Sequence, residues 1–308
     1  MKRFSIVVGM RIGEDKIMAF TLEIKLKTIF GNKKIDFEAI LQNCGLSYGQ
    51  DGEFFILKEG MGDDVAILYN PNRIGRGISC DMSNVKKGKI VLHYNIPTTA
   101  TEIGDFINVA KEVERQWKKV DMYCVEEDCK YTTQLLEENK DNMVRFSLAK
   151  LNEFCSNEGY SSYLYTLAMW PLELTKEMTE KFKDCSDLNE FEQILHDKQN
   201  LDVYYAKPRL LQNKAGEIGA FYTFTEECES IFPIRANGFL NFDNIEIKEG
   251  FVRFYIYSEQ TVMDGLFNYE KFIQYFLDRG AEYYDNSHIF LPSMTKAQLE
   301  ELAKELEE

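Results

Sequence analysis

Residues 89–117 constrain the fold more than any other stretch, because they predict a strand, a break and a helix in succession. Apolar side chains alternate with others over residues 89–96, which is the period of a half-buried strand. Pro97 then interrupts the chain, and Thr99 and Glu102 have the spacing of a capping box. In such a box the hydroxyl accepts a first-turn amide and the carboxylate returns to the cap amide. Apolar residues follow at helical spacing: Ile103, Phe106, Ile107, Ala110, Val113 and Trp117.

Other parts of the chain repeat these two patterns. Residues 20–30 alternate as a strand, and residues 202–258 have the alternation and the turn residues of an antiparallel sheet. Further amphipathic helices begin at Asp36, Asn268 and Thr295. We therefore predict an α+β or mixed α/β fold, with antiparallel or mixed sheets in both halves covered by amphipathic helices.

The length of 308 residues suggests roughly two domains or one large one, since a domain averages about 150 residues. The best boundary lies in a helical stretch, residues 132–158, which has sheet-forming segments on both sides. We predict an N-terminal α/β domain over residues 1–131 and a C-terminal α+β domain over residues 132–308. The alternative is a single compact unit.

The net charge of −15 makes nucleic acid and anionic membranes poor partners, because like charges repel. It leaves open an inhibitor that imitates a polyanion and occupies a basic partner. No apolar run reaches the roughly 18 residues that span a bilayer, and residues 1–17 lack the cleavage site of a secretion signal. The seven scattered cysteines fit reduced thiols better than a disulfide framework. We predict a soluble cytoplasmic protein that starts at Met1 or Met18.

Residues suited to catalysis or to metal binding are few. The three histidines, His93, His196 and His288, each fit a structural role at a predicted strand or helix. No CxxC, GxSxG or GxxxxGK[ST] sequence is present. Cys124 and Cys129 flank a run of acidic residues, which is more typical of a strand end than of a zinc site. We predict no metal and no cofactor, and we favour a non-enzymatic protein.

One loop, residues 70–77 (NPNRIGRG), has the composition of an anion site. Arg73 and Arg76 supply guanidinium groups, and Gly75 and Gly77 can expose backbone amides. Together these groups suit a small anionic or phosphorylated ligand. The same residues are equally typical of a turn. We keep all four as candidate ligand-binding residues.

Aromatic residues are dense in two of the predicted strands, in the runs Phe221–Phe224 and Phe254–Tyr257. Alternate residues of a strand share a face, so rings in such runs can stack a flat ligand or dock a partner. The ordinary alternative is sheet propensity, which places aromatic residues at half-buried positions. The sequence favours the second interpretation without excluding the first.

Three segments resemble an uncharacterised bacterial family, a domain of unknown function: Phe30–Leu41, Tyr69–Gly77 and Ile96–Phe106. The resemblance runs from Met18 nearly to the C-terminus and implies no activity. Because catalytic motifs are missing and acidic residues are abundant, we predict a cytoplasmic binding or protein-interaction module whose partner is an unknown protein. The alternatives are an enzyme or binder of a small anionic ligand near Arg73 and Arg76, and the polyanion-like inhibitor.

Overall fold

The computed structural model describes residues 19–27, 34–60, 64–157, 163–164, 167–237 and 246–307. The chain forms two compact units. The N-terminal unit comprises residues 1–171 and 176–200, and the C-terminal unit comprises residues 172–175 and 201–308. The predictions about a secretion signal in residues 1–17 and about a start at Met18 lie outside the described residues.

An antiparallel sheet is the centre of the N-terminal unit. Its strands are β1 (Ala19–Leu26), β2 (Ser47–Asp51), β3 (Leu57–Lys58), β4 (Val65–Tyr69), β5 (Ile78–Asp81), β6 (Lys89–Asn95), β7 (Val120–Cys124) and β8 (Cys129–Tyr131). They lie in the order β3-β2-β4-β5-β6-β1-β7-β8, and every neighbouring pair is antiparallel. Residues Tyr163–Leu164 form a further short strand, β9.

The described residues of the N-terminal unit also form five α-helices. They are α1 (Phe37–Cys44), α2 (Ala100–Trp117), α3 (Thr133–Ser156), α4 (Lys176–Phe182) and α5 (Asn189–Gln199). Helices α1 and α2 pack into the core of the sheet. The apolar stripe of α2 lies in one core with alternate residues of β1 and β6, such as the fully buried Leu22 and Leu92. Helix α3 contacts α2 and buries Leu136 in the same core. Helix α3 therefore belongs to the N-terminal unit, and the division between the units falls later than residue 131. The packing of α3 against α2 is a tertiary contact that the sequence does not show.

Local sequence signals set several helix ends. The Asp36 carboxylate accepts the Ala39 amide at 3.0 Å, and the Thr99 hydroxyl accepts the Glu102 amide at 3.1 Å. Both predicted N-caps are thus confirmed. The Glu102 carboxylate, however, is hydrogen-bonded to the loop of residues 70–77 and not to the cap amide. The fold brings the amides of Arg76 and Gly77 to this carboxylate, and they take the place of the cap amide as its partners.

The C-terminal unit is built on mixed sheets. Its strands are β10 (Leu172–Glu173), β11 (Tyr204–Tyr205), β12 (Arg209–Gln212), β13 (Ile218–Thr225), β14 (Ser230–Pro233), β15 (Ile247–Ile256), β16 (Thr261–Val262), β17 (Phe267–Asn268) and β18 (His288–Leu291), and its helices are α6 (Tyr269–Asp278) and α7 (Lys296–Glu307). One sheet has the order β11-β14-β18 and the other β12-β13-β15-β16, with β17 also paired to β15.

The prediction of an antiparallel sheet over residues 202–258 is wrong at two pairs. Strands β11 and β14 are parallel, and so are β13 and β15, with Phe221 opposite Phe251. The chain leaves β13 to form β14 in the other sheet before it returns as β15, and such a detour is what a parallel pair requires. The inner face of this pair is buried in one core with α6 and α7.

Both units combine sheets with helices, so the predicted α+β class is confirmed. The caps at Asn268 and Thr295 are confirmed as well, since each side chain accepts an amide of the first helical turn. None of the described helices has the length and apolar character that a membrane crossing requires.

Candidate functional site

The loop of residues 70–77, between β4 and β5, encloses a carboxylate of the protein itself. The Glu102 carboxylate accepts the Arg76 amide at 3.2 Å, the Gly77 amide and the Thr98 hydroxyl. We call these three donors the Glu102 cradle. Successive backbone amides of this kind form an anion site. The anion that the loop composition predicts is therefore present, as a side chain of α2.

Both glycines of the loop lie where a side chain would be crowded. A Cβ atom on Gly75 would lie 3.0 Å from Oε1 of Glu102, closer than a side chain normally comes. Gly77 has a φ of +86°, which side-chain-bearing residues rarely adopt. Its Cβ would lie 2.6 Å from Cγ2 of Ile67. The GxG pattern thus fits the loop around the carboxylate.

Arg76 is buried beside the cradle. Its Nη1 donates to the Pro97 carbonyl at 2.9 Å. Loss of hydration lowers the pKa of Arg76 to about 10, and the nearby Glu102 carboxylate opposes that change. Burial likewise raises the pKa of Glu102, against the hydrogen bonds from Thr98, Gly77 and Arg76. The two groups, both buried, compensate each other electrostatically.

Arg73 is not part of this cluster. Its side chain is half exposed, and its Nε lies 3.8 Å from Glu192 on α5. Glu192 in turn accepts the amide and the hydroxyl of Thr101 at 3.1 and 2.7 Å, at the start of α2. The structure therefore brings Gly75, Arg76 and Gly77 together at Glu102 and leaves Arg73 on a separate surface contact.

Helix α5 fixes the rest of the loop. The Ile74 amide donates to Nδ1 of His196 at 3.1 Å, and Nε2 of Gln199 donates to the Gly75 carbonyl at 2.8 Å. Nearby on α2, Asp105 accepts a hydrogen bond from Asn70 at 3.2 Å. Burial raises the pKa of Asp105 to about 6. His196 therefore has a partner that the sequence does not reveal, 122 residues away.

A second candidate lies on the outer face of the sheet in the C-terminal unit. Alternate residues of β13 and β15 point away from the core, because their neighbours Tyr222 and Phe254 are buried. The rings of Phe221 and Phe251 stack there, with centroids 5.2 Å apart and planes inclined by 25°. Gly219 makes room, since its Cβ would lie 3.1 Å from the Phe221 ring.

Two arginines flank this ring pair. Arg209 of β12 is paired in register with Phe221, and Arg253 of β15 follows two residues after Phe251. Both are exposed. Nε of Arg253 donates to the Thr223 hydroxyl at 3.3 Å, and neither arginine has an ion pair among the described residues. We define the aromatic face by five residues: Arg209, Leu211, Phe221, Phe251 and Arg253.

A buried chain of hydrogen bonds in the same unit was missed by sequence reasoning. Nδ1 of His288 lies 2.9 Å from Asp285, and its Nε2 lies 2.9 Å from the hydroxyl of Tyr205. All three side chains are buried. The Asp-x-x-His spacing was a signal for the first contact, whereas Tyr205 is 83 residues away. Since these three side chains lie away from solvent, we assign their hydrogen bonds a structural role, which is to hold β11 and β18 together.

Cys124 and Cys129 face each other across β7 and β8. Burial raises the pKa of Cys124 to about 11, and burial together with Glu127 raises that of Cys129. Neither thiol is thus activated as a thiolate. Within the described ranges, no three His, Cys, Asp or Glu residues are grouped so as to hold a metal ion.

Of the comparisons with known proteins, only the one with protein families gives a match. Neither the curated proteins nor the solved structures include a match to it. A family model described as a domain of unknown function, DUF4299, matches residues 19–302. The match contains the resembling segments Tyr69–Gly77 and Ile96–Phe106, and it spans well over half of the sequence. The chain therefore belongs to the DUF4299 family.

Proposed function

We propose that this protein is a non-enzymatic interaction module whose aromatic face binds an acidic segment of a partner protein. One observation carries the proposal. A half-buried pair of stacked rings, Phe221 and Phe251, lies on the outer face of the sheet between two exposed arginines that have no carboxylate partner among the described residues. In a chain of net charge −15, two guanidinium groups beside apolar rings favour a ligand that brings both carboxylates and apolar side chains.

The residue types on this face are those that contribute most to protein interfaces. Aromatic and arginine side chains are enriched among the residues whose truncation weakens binding most. A side chain stacked on the rings adds about 0.5–1.5 kcal/mol beyond the area it buries. A short segment held by this small face is expected to bind with a dissociation constant of about 100 μM, or roughly −5.5 kcal/mol.

The alternatives have less support. A small anion in the loop of residues 70–77 would need the amides of Arg76 and Gly77, which Glu102 already occupies. A polyanion mimic needs its acids concentrated on one face, whereas acids such as Glu137 and Glu217 belong to different units and form ion pairs with lysines of this chain. A nucleic acid would meet the repulsion of the whole acidic chain along its length.

We further propose that the protein works in the cytoplasm. All seven cysteines are free thiols, and burial raises the pKa of two of them, Cys44 and Cys80, to about 11 and about 12. Thiols in this state suit a reducing compartment.

A peptide titration tests the interaction. The probe is Thr-Phe-Thr-Glu-Thr-Glu-Thr, and its counterpart carries Lys in place of both Glu residues. We expect the full chain to bind the acidic peptide at least about tenfold more tightly than the basic one, as judged by calorimetry. Arg253→Glu should weaken binding of the acidic peptide about tenfold.

Arg235→Glu is the matched control, since it changes the net charge equally in the same unit. Arg235 is exposed and follows β14, and its neighbour Ala236 accepts the hydroxyl of Tyr222, which points to the inner side of the sheet. Equal binding of the two peptides, or equal losses in the two variants, would overturn the proposal. Preferential binding of a deoxythymidine oligonucleotide at the aromatic face would overturn it too.

A further inference from the structure

We infer that the partner segment binds by adding a β-strand to the free edge of β12, antiparallel to it, with the pattern apolar-x-acidic. The inference rests on the proposed function and specifies how the segment is recognised. Strand β12 ends the order β12-β13-β15-β16, and no strand lies on its other side among the described residues. Its side chains Arg209, Leu211 and Gln212 are exposed. An exposed edge of this kind is where extended peptides add to a sheet.

The hydrogen-bond pattern shows which backbone groups are available. The Asn213 amide donates to the Glu217 carbonyl at 2.9 Å, directly after β12. In an antiparallel pair the bonded residues alternate, so Leu211 and Arg209 also direct their backbone groups to β13. The amides and carbonyls of Leu210 and Gln212 therefore point to the free edge. They offer an added strand two residues to pair with.

The register between β12 and β13 also determines which side chains of β12 lie on the aromatic face. Arg209 is opposite Phe221 and Leu211 is opposite Gly219, so both belong to the aromatic face. An added strand would place every second side chain on that face, one beside Leu211 and the next beside Arg209. Antiparallel pairing is the more stable arrangement. The partner then reads apolar-x-acidic from its N-terminus, with the apolar residue beside Leu211.

Charge favours an acidic strand over a second copy of this chain. Residues 207–214 (KPRLLQNK) contain three cations and no acid. Lys207, Arg209 and Lys214 form no ion pair among the described residues, whereas the nearby Glu217 is paired with Lys248. Two β12 edges side by side would bring like charges together, which disfavours self-pairing. Carboxylates on the incoming strand would instead be attracted.

Substitutions at Gln212 test strand addition without altering the five residues of the aromatic face. Gln212→Pro removes an amide that points to the free edge and keeps the bonds between β12 and β13. Gln212→Ala is its control, because it removes the same side chain, which donates to the Gly216 carbonyl, and keeps the amide. With the probe Thr-Phe-Thr-Glu-Thr-Glu-Thr, we expect Gln212→Pro to bind about tenfold more weakly than Gln212→Ala.

Methylation of the peptide backbone tests the same pairing while the protein stays unchanged. An N-methyl group on the threonine between Phe and the first Glu should weaken binding about tenfold, because that residue pairs with Leu210. An N-methyl group on the first Glu should be tolerated, since its amide faces away from β12. Equal effects at both positions would overturn strand addition even if the acidic peptide binds. Failure of the unmethylated acidic peptide to bind would instead overturn the proposed function.

Discussion

Replacing Glu102 by alanine tests whether a side chain of α2 organises the loop of residues 70–77. The variant removes the acceptor of the Arg76 and Gly77 amides and of the Thr98 hydroxyl. It also leaves the buried Arg76 guanidinium without its compensating negative charge. The effect should therefore be that of breaking a buried charge pair and not that of removing a surface group.

The structure sets the size of this effect. Each buried donor left without an acceptor destabilises by about 1–3 kcal/mol, and loss of one partner of a buried charge pair by about 3–5 kcal/mol. These losses overlap, because the same carboxylate serves both, so we expect about 3–5 kcal/mol for Glu102→Ala. In a unit of this size, 1 kcal/mol lowers Tm by about 2–4 °C. The Tm of the N-terminal unit should thus fall by roughly 6–20 °C.

Calorimetry and amide hydrogen exchange measure this change, with Glu137→Ala as control. Glu137 is an exposed helical glutamate paired with Lys111, and its loss should matter by about 1 kcal/mol or less. Formate, which can occupy the vacated cradle, should raise the Tm of Glu102→Ala more than that of the wild type. Equal stabilities of the two variants, with unchanged exchange at Arg76 and Gly77, would refute the reasoning.

Two further predictions concern buried polar groups. The pKa of Asp105 is raised to about 6 from 3.8, so the folded state holds this proton more tightly and stability falls as pH rises through that interval. Asp105→Asn should remove this fall, which a series of Tm values between pH 4 and 8 would show; an unchanged pH profile would contradict it. Tyr205→Phe removes the hydroxyl 2.9 Å from His288 and should destabilise the C-terminal unit by about 1–3 kcal/mol in urea unfolding. Tyr283→Phe, at an exposed tyrosine, should change stability by less than about 0.5 kcal/mol, and equal effects of the two would count against a role for the buried chain.

The sequence predicts those features whose causes are local. The cap hydroxyl of Thr99 and the alternation of β6 depend on neighbours a few residues away, so both are confirmed. The partner of the Glu102 carboxylate depends on a loop about 25 residues earlier, and spacing alone assigns it to the cap amide. The composition of residues 70–77 is that of an anion site, but it does not tell a ligand from a side chain of the same protein, here Glu102.

The aromatic face shows the same limit. Alternation in the run Phe221–Phe224 predicts that one set of rings points outward, and Phe221 does. Its stacking partner, Phe251, comes from a strand that is parallel to β13 and reached through β14. Strand pairing of this kind is set by the packing of the whole unit. The sequence therefore indicates the rings but neither their stacking nor the two arginines beside them.

Because the Glu102 carboxylate belongs to the protein itself, it competes strongly with free anions for the loop amides. A group held by the fold acts at an effective concentration well above the millimolar range of flexible tethers, because its position and orientation are already fixed. Free phosphate or a metabolite carboxylate at millimolar concentration therefore cannot displace it from the amides of Arg76 and Gly77. The loop stays closed to anions that vary with the metabolic state of the cell. Its conformation is consequently insulated from the small-molecule environment.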